Sequence, residues 1–261
     1  MKTRAELKEQ ARFNFSQKYW PVVGISFLGM LIVGATNAIP GVGGLIYLLV
    51  GTIIVVGLNG FFLSVYRGYE IKVENLFSPF NRYGRVLGGM LWMYLWLFIW
   101  ALIFIVPMII VMVIEFFTAF SSLGPILANG YNSAAVMTDV SFWKDIEHAF
   151  SPVGLLLLLL LIPAIIKSYA FFCTPYILAD SPNVPATDAI RLSQKIMAGY
   201  KWKLFVTQLT FLGWILLSAV TAGILWIFYV GPYYNATMAG FYEEVKNNAK
   251  NKAIPGVEIL N

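Results

Sequence analysis

Apolar residues along the chain gather into six long stretches with short polar breaks between them: 20–39, 43–66, 87–120, 153–178, 203–221 and 224–242. A bilayer core of about 30 Å is crossed by about 20 apolar residues in helical form, so each stretch predicts a membrane span. The unbroken leucine run at 155–161 argues against membrane strands, which alternate apolar and polar positions over about ten residues. The predicted fold class is therefore all-α: an integral membrane helical bundle of six transmembrane helices with short amphipathic surface helices. The third stretch is too long for one crossing, reaching about 51 Å as helix. We expect it to cross over 87–106, then to kink at Pro107 and lie on or project from the outer surface.

Three further segments carry the helical spacing of an amphipathic surface. The first is 5–18, with Leu7, Ala11 and Phe15 on one face. The second is 71–85, with Val73, Phe77 and Phe80 together. The third is 185–198, with Ala189, Ile196 and Met197 on one side and Asp188, Arg191 and Lys195 elsewhere. Pro185 suits a helix start and Gly199 a helix stop. Each segment runs into a basic and aromatic junction: Lys18-Tyr19-Trp20, Arg82-Tyr83-Gly84-Arg85 and Tyr200-Lys201-Trp202-Lys203. Such residues sit well at headgroup level.

The organisation that follows is a single membrane domain over 1–261. An amino-terminal cytoplasmic helix (1–19) precedes a first hairpin (20–66). The second hairpin (71–178) carries an outer insertion at about 108–152. A surface helix and third hairpin (185–242) lead into a cytoplasmic tail (243–261). Two readings fit the recurrence, which extends to Phe61-Phe62 with Tyr66 against Phe171-Phe172 with Tyr176. One is a threefold repeat of surface helix plus hairpin; the other is the composition common to membrane boundaries.

Charge supplies an independent test. With 59% hydrophobic and 12% charged residues, the chain cannot cover a water-facing surface of its own length, which excludes a soluble enzyme and a disordered chain. On the six-span reading, Lys144 is the one basic residue of 18 on the outer side. That asymmetry places both termini in the cytoplasm. A seventh span, made by splitting the third stretch at Pro107, would destroy it. The first 19 residues mix Glu6 and Glu9 with basic residues and lack the signature of a cleaved signal peptide. The long outer connection, 121–152, reads as loop in its first half, with Gly124, Pro125, Asn129, Gly130 and Asn132, and at 141–150 Phe142, Trp143, Ile146, Ala149 and Phe150 predict an interfacial helix.

A set of residues in the last third carries a family resemblance. They are Ile162-Pro163-Ala164-Ile165-Ile166-Lys167, Pro175-Tyr176-Ile177-Leu178-Ala179-Asp180, Ala189-Ile190, Ser193, Met197-Ala198-Gly199 and Lys201-Trp202-Lys203-Leu204-Phe205. Beyond them come Phe211-Leu212-Gly213-Trp214, Thr221-Ala222-Gly223-Ile224, Pro232-Tyr233 and Phe241-Tyr242. In order and spacing this region, roughly 162–244, resembles the domain of unknown function 975 family, small multi-pass membrane proteins mostly of Gram-positive bacteria. The amino-terminal half resembles it more loosely. The chain departs from the family pattern at Ala164, where the family has Gly, and by inserting roughly 108–161. The resemblance implies a bacterial plasma-membrane location and supplies no activity.

Enzyme signatures are absent: no His-Glu-x-x-His, no Gly-x-Ser-x-Gly and no phosphate-binding glycine loop. The single cysteine, Cys173, and single histidine, His148, call for no disulfide framework, metal site or cofactor. His148 with Asp145 and Glu147 falls on the expected outer helix, where a solvated polar face accounts for it. No motif organises the basic face for nucleic acid; anionic lipid headgroups at the cytoplasmic face are the partners it fits. Inside the spans, Asn59, Gln208 and Asn235 fall about 8–13 Å from the inner edge and Lys167 about 15 Å from it. Arg67, Asp180, Trp202 and Glu243 mark that edge. An ammonium at such depth is costly and usually faces a bundle interior. Either Lys167 snorkels or bonds local hydroxyls and carbonyls, or it neutralises an anionic group in a cavity shared with Asn59, Gln208 and Asn235. The reading favoured by the sequence is a non-catalytic module that binds or moves an anionic amphiphile or solute. A structural or regulatory membrane partner, such as one protecting against membrane-active peptides, is second, and an intramembrane enzyme third.

Overall fold

The computed structural model describes residues 2–128 and 159–260. The predicted outer helix at 141–150, with His148, Asp145 and Glu147, lies outside the described residues, as does the rest of 129–152. All regular structure among the described residues is helical. The helices are α1 (Arg4–Gln17), α2 (Tyr19–Asn37), α3 (Gly43–Arg67), α4 (the single turn Glu74–Phe77) and α5 (Tyr83–Ala128). They continue with α6 (Ile162–Ala170), α7 (Thr174–Asp180), α8 (Ala186–Ile196), α9 (Lys201–Leu209), α10 (Leu212–Val220) and α11 (Gly231–Asn251).

Five stretches are long and apolar enough to cross a membrane: Tyr19–Asn37, Gly43–Arg67, Glu74–Ile114, Ile162–Asp180 and Lys201–Val220. The sixth predicted stretch is also helical, running through a π-helical segment at Trp226–Val230 into α11. Tyr233, Tyr234 and Asn235 make it less apolar than the others. Large side chains such as Trp20, Leu31, Leu216 and Val220 stand exposed on α2 and α10. An apolar belt of this extent does not suit an aqueous surface and fits a membrane protein.

Several element boundaries differ from the sequence expectation. The third helix continues beyond Pro107, and α5 runs on to Ala128 over 46 residues, about 69 Å of helix, so that 121–128, expected as loop, is helical. Proline removes one backbone donor, and a strongly apolar helix carries on past that loss. The segment 71–85 is not one amphipathic helix but α4, a 3₁₀ segment (Ser78–Arg82) with Pro79 in its first turn, and the start of α5. The fourth span is interrupted at 171–173, ahead of Pro175 in the first turn of α7. The fifth is interrupted at Thr210-Phe211 without any proline.

The described chain forms two compact units, Met1–Tyr94 with Tyr169–Asn261, and Leu95–Ser168. In the first, α3 is the central helix, packed by α11, α7, α2 and α1. Helices in lipid associate through close packing more than through hydrophobicity, and glycines supply the closeness here. A Cβ on Gly57 would collide with the Leu76 carbonyl, and one on Gly240 with the Tyr66 ring. The expected face of α1 is the buried one: Leu7, Ala11 and Phe15 are fully covered. They are covered by α11 and α3, so α1 is part of the bundle and not merely a surface helix. The carboxyl-terminal segment is likewise docked. Val257 and Leu260 are buried, and Lys195 donates to the Pro255 carbonyl at 2.9 Å. The second unit holds the remainder of α5 and most of α6.

Candidate functional site

The four polar residues expected inside the spans are placed as follows. Asn59 Nδ2 donates to Val55 O at 2.9 Å and Asn235 Nδ2 to Gly231 O at 2.9 Å, each within its own helix. Gln208 joins two helices to its own: Tyr169 Oη donates to its Oε1 at 2.7 Å, and its Nε2 donates to Tyr234 Oη at 3.0 Å. These three belong to the first unit. Lys167 belongs to the second, with its ammonium 4.6 Å from the centroid of the Trp100 ring, a cation–π arrangement.

A second group of charges, read from sequence only as edge markers, is drawn together at one end of the first unit. Gly68, with φ +75°, closes α3 by left-handed capping and leaves Arg67 as its last residue. Asp180 ends α7, and Glu243 and Lys246 lie one turn apart on α11. Arg67 donates from Nη1 to Asp180 Oδ1 at 2.6 Å and from Nη2 to Oδ2 at 3.0 Å. It also donates from Nε and Nη2 to Glu243 Oε2, at 3.0 and 2.6 Å. Lys246, 2% exposed, reaches Asp180 Oδ2 at 3.0 Å and Glu243 Oε2 at 3.2 Å. Tyr242 Oη donates to Asp180 Oδ2 at 3.2 Å. Among the described residues, two cations here meet two carboxylates. Asp180 sits at the negative end of its helix dipole, and Arg67 and Lys246 offset that placement. The cluster binds the carboxyl-terminal ends of α3 and α7 to α11. Nearby, Arg85 donates to the Leu178, Ser181 and Val184 carbonyls at 2.7, 3.2 and 2.8 Å, capping the end of α7.

Beside this cluster lies an open cavity of about 380 Å³, within the range of small-molecule sites. One wall is the start of α1: Lys2, Thr3, Arg4 and Leu7. The other is α9: Trp202, Lys203, Val206 and Thr207. Phe241 of α11 completes the lining. A reciprocal cap sets the position of the first wall. Glu6 N donates to Thr3 Oγ1 at 3.3 Å and Thr3 N to Glu6 Oε2 at 2.8 Å, so α1 begins at Arg4 and its basic residues face a fixed direction. One turn further, Lys8 donates to Thr210 O at 3.5 Å, at the break between α9 and α10, and lies 4.2 Å from the Phe211 centroid. Burial, and then the positive charge of Arg4, hold the Lys8 ammonium below the usual lysine range. The lining thus joins three basic side chains, the half-buried Val206 and an indole that is 72% exposed, with the buried Leu7 and Phe241 behind them. Among the described residues it includes no acidic side chain. That composition can hold an anionic group with an apolar chain laid along Val206 and Trp202.

Comparison over the whole length decides the family. The model described as Protein of unknown function (DUF975) matches residues 1–249. The chain belongs to this family. No curated protein and no solved structure matches it significantly. The DUF975 match takes in both walls of the cavity and all four members of the ion cluster, and it stops short of the docked carboxyl-terminal segment. It also covers the amino-terminal half, where resemblance by residues is looser.

Sequence reasoning assigned the cavity residues to topology and not to a site. Lys2 and Arg4 are about 200 positions from Lys203 and Trp202 along the chain, and no local spacing joins them. Two local signals were legible: the Thr3-x-x-Glu6 cap that fixes the start of α1, and the Tyr200–Lys203 junction.

Proposed function

We propose that this DUF975 protein is a non-catalytic plasma-membrane module of a bacterium, with six spans and both termini cytoplasmic, and that it binds an anionic amphiphile from the inner leaflet. The observation that carries this reading is the cavity lined by Lys2, Arg4 and Lys203 together with Val206 and Trp202. Basic residues near an anionic surface are each worth about 1 kcal/mol of attraction, and Trp202 suits the headgroup level. The carboxyl-terminal ends of α3 and α7 meet α11 at Glu243 and Lys246 in one ion cluster, which supports a common side for the second, fourth and sixth stretches.

The test has two arms. Val42→Cys in the first tight turn reacts with an impermeant thiol reagent in intact cells, while Asn251→Cys reacts only after permeabilisation. Cys173, the one native cysteine, is buried and gives little background. Lipid co-purified in mild detergent is enriched in anionic species. Loss of that enrichment in Lys2→Gln/Arg4→Gln supports the cavity. Its loss in Lys167→Met alone moves the site to the second unit, and no enrichment in the wild type overturns the reading.

A further inference from the structure

Glu243 and Glu244 are neighbours on α11 and serve different partners. Glu243 belongs to the ion cluster. Glu244, with a side chain 12% exposed, turns to the amino-terminal end: Lys2 N donates to its Oε2 at 2.9 Å, and the Lys2 ammonium lies 3.6 Å from its Oε1. The same ammonium donates to Gln10 Oε1 at 2.5 Å, and that oxygen also accepts from Tyr66 Oη at 3.0 Å. Asn14 Nδ2 donates to Tyr66 O at 2.7 Å. These contacts hold α1 in place, and Lys2 is both an anchor of that wall and a lining residue of the cavity. Its charge is therefore shared with a carboxylate of the protein itself.

Resting on the reading of the cavity as an anion site, we infer that Glu244 is a built-in competitor of the ligand, an internal carboxylate that holds Lys2 until the phosphate of an anionic glycerophospholipid takes its place. Two anions around one ammonium repel each other, so filling the cavity weakens the hold of Glu244 on Lys2. The arrangement sets a threshold. A zwitterionic lipid offers no net charge with which to displace the carboxylate, whereas an anionic one does. Affinity for the correct ligand is lowered, and discrimination against the uncharged competitor is raised. Arg4 and Lys203 supply the attraction that does not pass through Glu244.

The experiment uses the full-length protein in neutral detergent, titrated with short-chain phosphatidylglycerol, with phosphatidylcholine of the same chain length, and with inorganic phosphate; native mass spectrometry reads the bound fraction. Glu244→Gln keeps an acceptor for the Lys2 amide while removing the charge. It binds phosphatidylglycerol about fivefold tighter than wild type, the effect of releasing one basic residue, with phosphatidylcholine unchanged. Lys2→Gln abolishes that gain, so the double variant matches Lys2→Gln alone. Glu243→Gln, one residue away, lowers thermal stability and gives no tightening. Unchanged or weaker phosphatidylglycerol binding by Glu244→Gln, with Arg4→Gln and Lys203→Gln still weakening it, overturns the competitor role and leaves the cavity standing. Indifference of phosphatidylglycerol to all of Lys2, Arg4 and Lys203 overturns the cavity itself. Displacement of bound phosphatidylglycerol by millimolar inorganic phosphate overturns the lipid assignment.

Discussion

Two charged sites adjoin at one end of the first unit, and they are built in opposite ways. In the cluster, Arg67 and Lys246 are matched by Asp180 and Glu243, every pair within 3.2 Å. In the cavity, three basic residues line a volume of about 380 Å³ with no acidic side chain in the lining among the described residues. The first arrangement is self-sufficient: its charges are consumed in joining helix ends. The second gathers basic residues along one cavity, where Lys2, 43% exposed, is shared with Glu244. Counting charges by side of the membrane treats the two alike. Geometry separates a matched ion cluster from basic side chains gathered along one cavity.

The largest expected effect lies in the cluster. Asp180→Asn leaves Arg67 and Lys246 short of a counter-charge in a buried setting, which costs about 3–5 kcal/mol. A thermal-unfolding scan in detergent should register a large drop in Tm, while the molecules that remain folded retain anionic lipid as the wild type does. An unchanged Tm would remove the distinction between the two sites. Next comes an uncharged control for close packing. Gly57→Val drives a side chain into the Leu76 carbonyl, and overpacking of this kind costs about 1–3 kcal/mol; the same scan measures it.

The cavity residues should behave in the reverse sense. Arg4→Gln and Lys203→Gln each reduce phosphatidylglycerol affinity about fivefold, with stability within about 0.5 kcal/mol of wild type. A large loss of stability in either would make the cavity a second structural cluster. The smallest effect belongs to Lys167→Met, which gives up a cation–π contact worth about 0.5–1 kcal/mol and leaves phosphatidylglycerol binding as it was.

How far the sequence could be read follows the range of the interactions. Spans, tight turns and the faces of α1 and α8 are local patterns. Gly41 and Gly223 take positive φ at the expected turns, and Ala189, Ile196 and Met197 are buried as their spacing predicted. The helical course of 121–128 differs from the expected loop because Gly124 and Pro125 signal a break by local rules, whereas an apolar helix tolerates one lost hydrogen bond. The interruption at Thr210-Phe211 had no local signal at all. Arg67, Asp180 and Glu243 were legible as the first charges beyond three apolar stretches, at matching depth and of opposite sign, but their pairing is tertiary. The cavity is further from reach, since it needs the start of α1 folded against α9. Lys167 drew attention as a lone intramembrane charge, and its aromatic neighbour, Trp100, lies 67 positions earlier in the chain.

The most direct test of the account is a titration of wild type, Arg4→Gln/Lys203→Gln and Lys167→Met with phosphatidylglycerol and phosphatidylcholine at two salt concentrations. The account predicts that wild type and Lys167→Met bind phosphatidylglycerol alike and prefer it to phosphatidylcholine, with the preference falling as salt rises. The double variant loses most of the preference while keeping its Tm. Equal preference in all three proteins, or loss confined to Lys167→Met, would contradict it.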